Sequence, residues 1–239
     1  MDIEKLQSDW EELGRTDPLW AIMTSPGKQG GKWDLQDFLR TGEREIGRVM
    51  EHMASLGLEV RREEALDFGC GVGRLTQALA DHFGSVVGVD IAEPMIDQAR
   101  RLNRHGDRCT YVVNTAPDLA MFADGAFDFV YSNITLQHMP QRYMRRYLAE
   151  FIRVLDPKGI IVFELTERPP LSLLLRLFAS GVRRAVVRRS GVMRMYWMRR
   201  PLVESFLQRH GARVIDVRQT FADRGWVRLS YSVVRTPER

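Results

Sequence analysis

Residues 65–80 decide the fold, and they read Ala65-Leu-Asp67-Phe-Gly69-Cys-Gly71-Val-Gly73-Arg74-Leu-Thr-Gln-Ala-Leu-Ala80. An apolar run ends at an acid, glycines follow at alternate positions, and a helical pattern begins. A second apolar run, Val86-Val-Gly-Val89, ends at Asp90. Glycines permit a tight turn between strand and helix and a close approach of a ligand to the main chain. The pattern predicts a nucleoside pocket on a parallel sheet.

The acids around the glycine loop indicate which kind of nucleoside would bind. A helix that starts at Arg74 offers free N–H groups and a partial positive charge to an anionic group. Asp90 is placed to accept hydrogen bonds from ribose hydroxyls. A dinucleotide fingerprint needs Gly or Ala where this chain has Arg74, and Asp67 would repel a pyrophosphate. The loop therefore suits a ligand with an ammonium or sulfonium group and disfavours a nicotinamide oxidoreductase.

Several motifs, taken together, resemble those of class I S-adenosylmethionine-dependent methyltransferases. The first is the acid followed by G-x-G-x-G at residues 67–73. Phe127-Asp-Phe-Val-Tyr-Ser132-Asn133 is similar to the fourth-strand motif of that family. Residues 150–163, with the Pro157-Lys-Gly159 turn before an apolar run, look like the fifth. The motifs appear in family order across roughly residues 63–165.

The alternation of elements predicts an α/β fold with a doubly wound, mostly parallel sheet. The resemblance implies a Rossmann-like sheet of seven strands whose last strand inserts antiparallel. Strands are expected near 64–68, 86–90, 110–113, 127–132, 160–165, 213–218 and 226–235. Helices are expected near 6–13, 41–56, 74–82, 94–103, 141–154 and 201–210. We expect one domain over 1–239, with an N-terminal lid region at 1–60 and an inserted cap at 168–200.

The resemblance also implies a set of cofactor-binding residues for S-adenosylmethionine. The glycines would line its methionine half, Asp67 would orient its amino group, and Met95 would pack on the adenine. The third-strand loop departs from the family pattern, because Thr115 stands where an Asp often accepts from the adenine. The full expected set is Asp67, Gly69, Cys70, Gly71, Gly73, Arg74, Asp90, Ile91, Met95, Thr115, Ala116, Ser132 and Asn133.

His138 is the candidate catalytic residue. It lies in Gln137-His138-Met-Pro140, shortly after the fourth strand, where polar side chains can point into the site. An unperturbed histidine pKa near ~6.5 suits a base that removes a substrate proton. The alternative is a structural histidine that bonds loop backbone. No Cys/His cluster has the spacing of a metal site, so no metal is expected.

Arginines dominate the predicted cap. No Asp or Glu occurs between Arg168 and Val203. The segment could be a solvated face, a dock for an acidic acceptor, or a contact with an anionic membrane surface. Trp33, Phe38, Tyr196 and Trp197 are expected to be wall residues of a pocket closed by lid and cap. The arginines are Arg168, Arg176, Arg183, Arg184, Arg188, Arg189, Arg194, Arg199 and Arg200.

Composition narrows the class of protein. The chain has 239 residues, a net charge of +4 and two cysteines, which predict free thiols in a reducing cytoplasm. No apolar run approaches the ~20 residues of a membrane span, and the acidic amphipathic start is not expected to be a signal peptide.

The sequence therefore predicts a cytoplasmic enzyme that methylates oxygen or nitrogen of a small-molecule, secondary-metabolite or lipid-linked acceptor by in-line displacement. The alternatives are a non-catalytic S-adenosylmethionine-binding module and a nucleic-acid methyltransferase. No appended RNA-binding module is apparent, so no nucleic-acid partner is expected. The oligomeric state stays open.

Overall fold

The computed structural model describes residues 2–167, 194–223 and 226–236. Within these ranges the strands are β1 (Glu64–Phe68), β2 (Ser85–Asp90), β3 (Cys109–Val113), β4 (Phe127–Ser132), β5 (Leu155–Glu167), β6 (Ala212–Asp223) and β7 (Trp226–Arg235). The helices are α1 (Ile3–Thr16), α2 (Pro18–Ile22), α3 (Leu35–Ser55), α4 (Arg74–Ala80), α5 (Glu93–Leu102), α6 (Gln141–Val154) and α7 (Arg200–Arg209). Short 3-10 turns lie at Gly106–Arg108 and Leu136–His138.

The strands form one seven-stranded sheet in the order β3-β2-β1-β4-β5-β7-β6. Strands β1 to β5 pair in parallel, and β7 runs antiparallel between β5 and β6. The predicted Rossmann-like sheet with an antiparallel last strand is confirmed. The chain changes direction across the sheet between β1 and β4. In open α/β sheets this switch point, at the carboxyl ends of the strands, is where ligands bind.

Helices cover both faces of the sheet, which explains the near-continuous apolar strands. Every residue of β4 is buried, as expected for a parallel strand with helices on both sides. On α6, Met144, Tyr147, Leu148 and Phe151 recur at helical spacing and pack into one core cluster. A second cluster on the other face joins α3 and α4 to the same strands.

Several elements extend beyond their predicted bounds. The helix expected from Thr41 begins at Leu35, because the Asp34 carboxylate caps it by accepting from the backbone N–H of Asp37 at 2.9 Å. A second helix, α2, which the sequence analysis did not predict, begins at Pro18, since proline fits the first turn of a helix. Strand β5 runs to Glu167 because its whole outer half pairs with β7.

The N-terminal helices pack onto the glycine loop through a third, smaller apolar cluster. Phe38 and Leu39 of α3 contribute to it, together with Val72 of the loop and Met95 of α5. Gly14 of α1 lies directly on α5, where an added Cβ would be 3.2 Å from side-chain atoms of Pro94 and Met95. The first two helices are thereby placed over the carboxyl ends of β1 and β2.

Two further features bear on the expected environment of the protein. In the described part of the chain, no helix is long and apolar enough to cross a bilayer. Cys70 and Cys109 are both buried and free. Burial raises the pKa of the Cys70 thiol well above its usual value and that of Cys109 to about 11. Both side chains therefore stay thiols at neutral pH and have little nucleophilic character.

Candidate functional site

A cleft lies at the switch point, beside the carboxyl ends of β1, β2 and β4. Its volume is about 830 Å³, counting the part open to solvent. The polar or small lining residues come from the strand ends and the loops that follow. They are Gly69, Gly71, Asp90, Asn114, Asn133, Thr135 and His138.

The glycine loop forms the floor of the cleft. Gly69 has a φ of +79° and Gly71 a φ of +53°, both in the left-handed region that glycine tolerates best. An added Cβ at Gly69 would lie 2.1 Å from Thr135 Oγ1, and one at Gly71 would lie 2.4 Å from Ile22 Cδ1. A side chain at either position would collide with Thr135 or Ile22, so the fold requires glycine here, and the bare main chain of both residues lines the cleft.

Asp90 lines the cleft next to this floor. Its Oδ2 accepts from the backbone N–H of Gly71 and its Oδ1 from that of Ala92, both at 2.9 Å. Burial raises the pKa of Asp90, and the backbone hydrogen bonds oppose that rise. A carboxylate can accept about four hydrogen bonds, so some acceptor capacity remains for a ligand. The expected role of Asp90 toward ribose hydroxyls stays a prediction.

Asp67 lies behind the loop instead of in the lining of the cleft. It is buried, and its Oδ2 accepts from Thr76 Oγ1 at 2.7 Å. Burial raises the pKa of Asp67 to about 7, with the charges of Glu45 and Asp90 adding to the rise. A route from Asp67 to a cofactor amino group therefore needs an intermediary, and its expected role stays a prediction.

Asn133 follows β4 and lines the cleft. Its Nδ2 donates to Glu45 Oε1, while its Oδ1 is buried with no hydrogen-bond partner among the described residues. The next residue, Ile134, has a φ of +59°, which is strained for a β-branched side chain. Ser132, by contrast, donates to the Phe68 carbonyl at 3.0 Å and ties β4 to β1 below the cleft.

Asn114, in the loop after β3, lines the cleft, although it was not among the site residues expected from the sequence. Its side chain donates to the Asp118 carbonyl at 2.7 Å and accepts from the backbone N–H of Ala116 at 3.0 Å. Thr115 is exposed and does not line the cleft. The residue type itself could have indicated this role, because Asn and Asp side chains commonly hydrogen-bond the backbone two residues on and so shape such loops.

His138 lines the cleft, and its neutral form is favoured. Burial lowers its pKa to about 4. Its Nδ1 lies 3.2 Å from the Arg194 carbonyl oxygen, which only accepts, so this nitrogen carries the proton. Its Nε2 then has the free lone pair and lies 3.3 Å from Gln137 Nε2. The Trp10 ring packs edge-on at 5.1 Å.

The remaining wall of the cleft is apolar and aromatic. Ile3, Leu6 and Trp10 reach it from α1, and Tyr143 and Tyr147 reach it from α6. The amphipathic pattern of α1 was visible in the sequence, but nothing there indicated that its apolar face covers a cleft. Among the described residues, no Lys or Arg lines this cleft.

The structure brings part of the expected site together. Gly69, Gly71, Asp90, Ile91, Met95, Asn133 and His138 line the cleft. Residues expected to bind cofactor but placed outside the described lining are Asp67, Cys70, Gly73, Arg74, Thr115, Ala116 and Ser132. Arg74 turns away because its guanidinium pairs with Glu45 Oε2 at 2.9 Å, which leaves its backbone at the start of α4.

The expected wall residues lie in packing contacts outside this cleft. Trp33 donates to the Met23 carbonyl at 3.1 Å and packs edge-on against the fully buried Phe38. The backbone N–H of Tyr196 donates to the Gln137 carbonyl at 2.7 Å, and the Trp197 carbonyl accepts from Gln141. Most of the expected cap, residues 168–193, lies outside the described residues.

Comparison with known proteins finds similarity to methyltransferases. Residues 66–163 match a methyltransferase domain family. A 2-methyl-6-phytyl-1,4-hydroquinone methyltransferase of Synechocystis is 29% identical over 154 residues, which is 64% of this chain and 47% of that protein. A demethylmenaquinone methyltransferase of Clavibacter sepedonicus is 36% identical over 117 residues, 49% of this chain and 46% of that protein. The chain thus spans about half the length of these curated relatives.

Solved structures share the fold over nearly the whole chain. A magnesium protoporphyrin IX methyltransferase of Synechocystis, with bound SAH, has a TM-score of 0.70 at 20% identity and covers 98% of this chain and 100% of that one. The 1,6-didemethyltoxoflavin-N1-methyltransferase of Burkholderia thailandensis has a TM-score of 0.63 at 21% identity and covers 98% and 88%. At these identities the likeness establishes the fold.

Proposed function

We propose that this chain is a class I S-adenosylmethionine-dependent methyltransferase, which binds S-adenosylmethionine in the cleft and methylates a small, largely apolar acceptor. One observation carries the proposal. The glycine floor and the free acceptor positions of Asp90 share a single cleft with an aromatic wall that contains no described Lys or Arg. The glycine floor and Asp90 suit a nucleoside, and the aromatic wall suits an apolar ring.

The residues present fit S-adenosylmethionine. Gly69 and Gly71 line the cleft without side chains, so a ligand can approach their main chain closely. Asp90 retains acceptor positions for ribose hydroxyls, Met95 offers an apolar surface, and Asn133 holds a buried oxygen that lacks a partner. When bound, S-adenosylmethionine supplies a methyl group on a sulfonium, and holding a nucleophile in line with it can supply ~7–11 kcal/mol of the acceleration.

The acceptor class follows from the apolar wall. Trp10, Tyr143 and Tyr147 provide flat surfaces, and no described basic residue is available in the cleft to pair with an acidic group. We propose a ring compound methylated on oxygen or nitrogen. The curated relatives are named for a phytyl-substituted hydroquinone and a demethylmenaquinone, which have the same apolar ring character. A nucleic-acid acceptor would need phosphate contacts that this cleft does not offer.

His138 is the proposed base for an acceptor that must lose a proton. Its lone pair is on Nε2, because Nδ1 faces the Arg194 carbonyl. With a pKa of about 4, the ring stays unprotonated at neutral pH but is a weaker base than a histidine with an ordinary pKa, so the proposal rests on the position of His138 in the cleft. The Gln137 amide near Nε2 would have to yield this position to the acceptor. His138→Gln should then lower kcat while leaving the affinity for S-adenosylhomocysteine unchanged.

We also propose that the acceptor is linked to a lipid and that the protein contacts an anionic membrane surface. Arg194 and Arg199 are exposed, as are the apolar side chains of Met195 and Leu202. Basic and apolar side chains side by side suit an interface with anionic lipid, where each charge contributes ~1 kcal/mol. Sedimentation with anionic and neutral vesicles at low and high salt tests this. Absence of salt-dependent binding to anionic vesicles would leave a freely dissolved acceptor.

Two experiments test the enzymatic proposal. Calorimetry should show binding of S-adenosylmethionine and S-adenosylhomocysteine and no binding of NAD. Methyl transfer from labelled S-adenosylmethionine should then be screened against hydroquinones, phenols and acidic control compounds. Label found only in acidic compounds would contradict the proposed acceptor class, and failure to bind either cofactor form would overturn the function itself.

A further inference from the structure

A partly buried polar cluster joins α3, which lies outside the residues that match the methyltransferase family, to the start of α4 and the end of β4. At its centre is Glu45, whose carboxylate accepts from three side chains. Arg74 Nη1 donates to Oε2 at 2.9 Å, and the Tyr131 hydroxyl donates to Oε1 at 2.9 Å. Asn133 Nδ2 also donates to Oε1. A helix before the first strand thus bonds to the residue that follows β4 in the cleft.

Helix α3 reaches this position because Gly42 lets it lie against the start of α4. An added Cβ at Gly42 would be 2.5 Å from the Arg74 carbonyl oxygen. Thr41 and Glu45 flank this contact at helical spacing, and both bond to Arg74. The guanidinium of Arg74 is only 4% exposed, so the pair is held in a fixed place.

Glu45 decides which way the Asn133 amide points. A carboxylate only accepts, so the NH₂ group of Asn133 must face Glu45 and the carbonyl oxygen must face away. That oxygen is buried without a partner among the described residues, and Asn133 lines the cleft. A buried acceptor of this kind is stabilised when a bound ligand supplies a donor.

The charges nearby favour a cationic donor. Glu45 and Asp90 both act on Asp67 as negative charges, and Arg74 is the cation that acts against them. Three carboxyl groups and one guanidinium therefore lie around the glycine loop. An acidic environment of this kind suits an ammonium group better than a neutral hydroxyl.

We propose that Glu45 is a positioning residue, which holds the Asn133 carbonyl oxygen toward the cleft so that it accepts a hydrogen bond from the ammonium group of the bound cofactor. This inference rests on the proposed function, because the ammonium belongs to S-adenosylmethionine or its product. It adds a residue of α3, outside the matched family region, to the specificity of the site.

Glu45→Gln tests this orientation with little change in shape. A glutamine has one oxygen, and Arg74 retains it because charge-assisted hydrogen bonds are the stronger ones. The glutamine NH₂ then faces Asn133 and turns that amide over, so that it presents a donor to the cleft. S-adenosylhomocysteine should bind about tenfold more weakly, whereas 5′-methylthioadenosine, which lacks the amino-acid part, should bind as before.

A double-mutant cycle separates positioning from a merely structural role. In an Asn133→Ala background, Glu45→Gln should cause no further loss of S-adenosylhomocysteine affinity. Thr41→Val is the matched control, since it removes a hydrogen bond from Arg74 and keeps the hydrogen bond that Asn133 donates to Glu45. Its affinity should equal that of the wild type, and circular dichroism should confirm that every variant is folded.

The outcomes distinguish this inference from the proposed function. If the wild-type protein does not bind S-adenosylhomocysteine, the proposed function fails. If it binds and Glu45→Gln has no effect, the positioning role is overturned. The same holds if the loss persists in the Asn133→Ala background, or if 5′-methylthioadenosine is weakened equally.

Discussion

Gly42 of α3 lies against the backbone carbonyl of Arg74, with room for a hydrogen and none for a methyl group. The contact sets the distance between α3 and the glycine loop, and through it the position of Glu45. A second glycine in the same helix, Gly47, has no atom within 4 Å of an added Cβ. The two glycines therefore have opposite roles in one element.

Substitution by alanine should separate these roles. Gly47→Ala should raise the free energy of unfolding by roughly 0.5–1 kcal/mol, because alanine is the better helix former. Gly42→Ala should lower it by about 1–3 kcal/mol, since its Cβ would lie 2.5 Å from the Arg74 oxygen and push α3 away. Urea denaturation of both variants measures the difference, and equal shifts would contradict the contact.

Asp90→Ala should weaken the binding of S-adenosylhomocysteine by roughly 1–3 kcal/mol, because the ligand hydroxyls and the Gly71 N–H lose their acceptor. Asp128→Ala is a matched control. Its carboxylate also accepts from two backbone N–H groups, those of Glu63 and Glu64, but at the start of β4, away from the cleft. It should lower stability and leave affinity unchanged in calorimetry. Equal affinities for wild type and Asp90→Ala would remove Asp90 from the binding site.

The buried, neutral His138 should make stability depend on pH. Its folded pKa of about 4 lies below the unfolded value of ~6.5, so the unfolded state binds more protons between these values. Acidification from pH 7 toward 4 should therefore cost up to about 3 kcal/mol of unfolding free energy through this residue. His138→Gln should lack that loss.

The histidine contribution is read as the difference between wild type and variant in urea denaturation at several pH values. A difference is needed because Asp67 acts with the opposite sign. Its pKa is raised to about 7 in the folded state, so its contribution to stability falls as pH rises from about 4 to 7. Parallel curves for wild type and His138→Gln would show that His138 is not held neutral by burial.

Helix α1 should act as part of a lid. It supplies Ile3, Leu6 and Trp10 to the cleft, and Ile22 of α2 lies over Gly71, so both helices should be ordered further by a bound ligand. Amide hydrogen exchange in residues 3–22 should slow when S-adenosylhomocysteine is added, and we expect the same of 168–200. Residues 201–209 of α7, which do not line the cleft, serve as the reference within the described helices. Unchanged exchange in both segments would contradict a lid.

The local sequence predicted most of the sheet, because each signal spans only a few residues. The acid and glycines of 67–73 predict the end of a strand, a turn and the start of a helix. The structure has β1 and α4 at these positions. Helix α6 was predicted with its observed bounds, since its apolar residues recur at helical spacing. The start of α3 was predicted too late, because the capping bond of Asp34 was not recognised.

Side-chain direction at the site could not be read in this way. Arg74 was expected to bind cofactor, yet its guanidinium faces Glu45 because the helix that carries Glu45 docks there. Asn114, and not Thr115, lines the cleft, since the hydrogen bonds of the loop determine which residue points inward. Trp10 lines the cleft because α1 packs on α5, a contact between segments far apart in the chain.

The sequence by itself determined the order of strands and helices and the glycine loop, because these depend on short-range patterns of polarity and backbone freedom. The tertiary structure decided which polar atoms face the cleft and which face each other. Asn133 shows the physical reason. The orientation of its amide is set by a carboxylate on a distant helix, and only the packing of Gly42 against α4 brings that helix within hydrogen-bond distance.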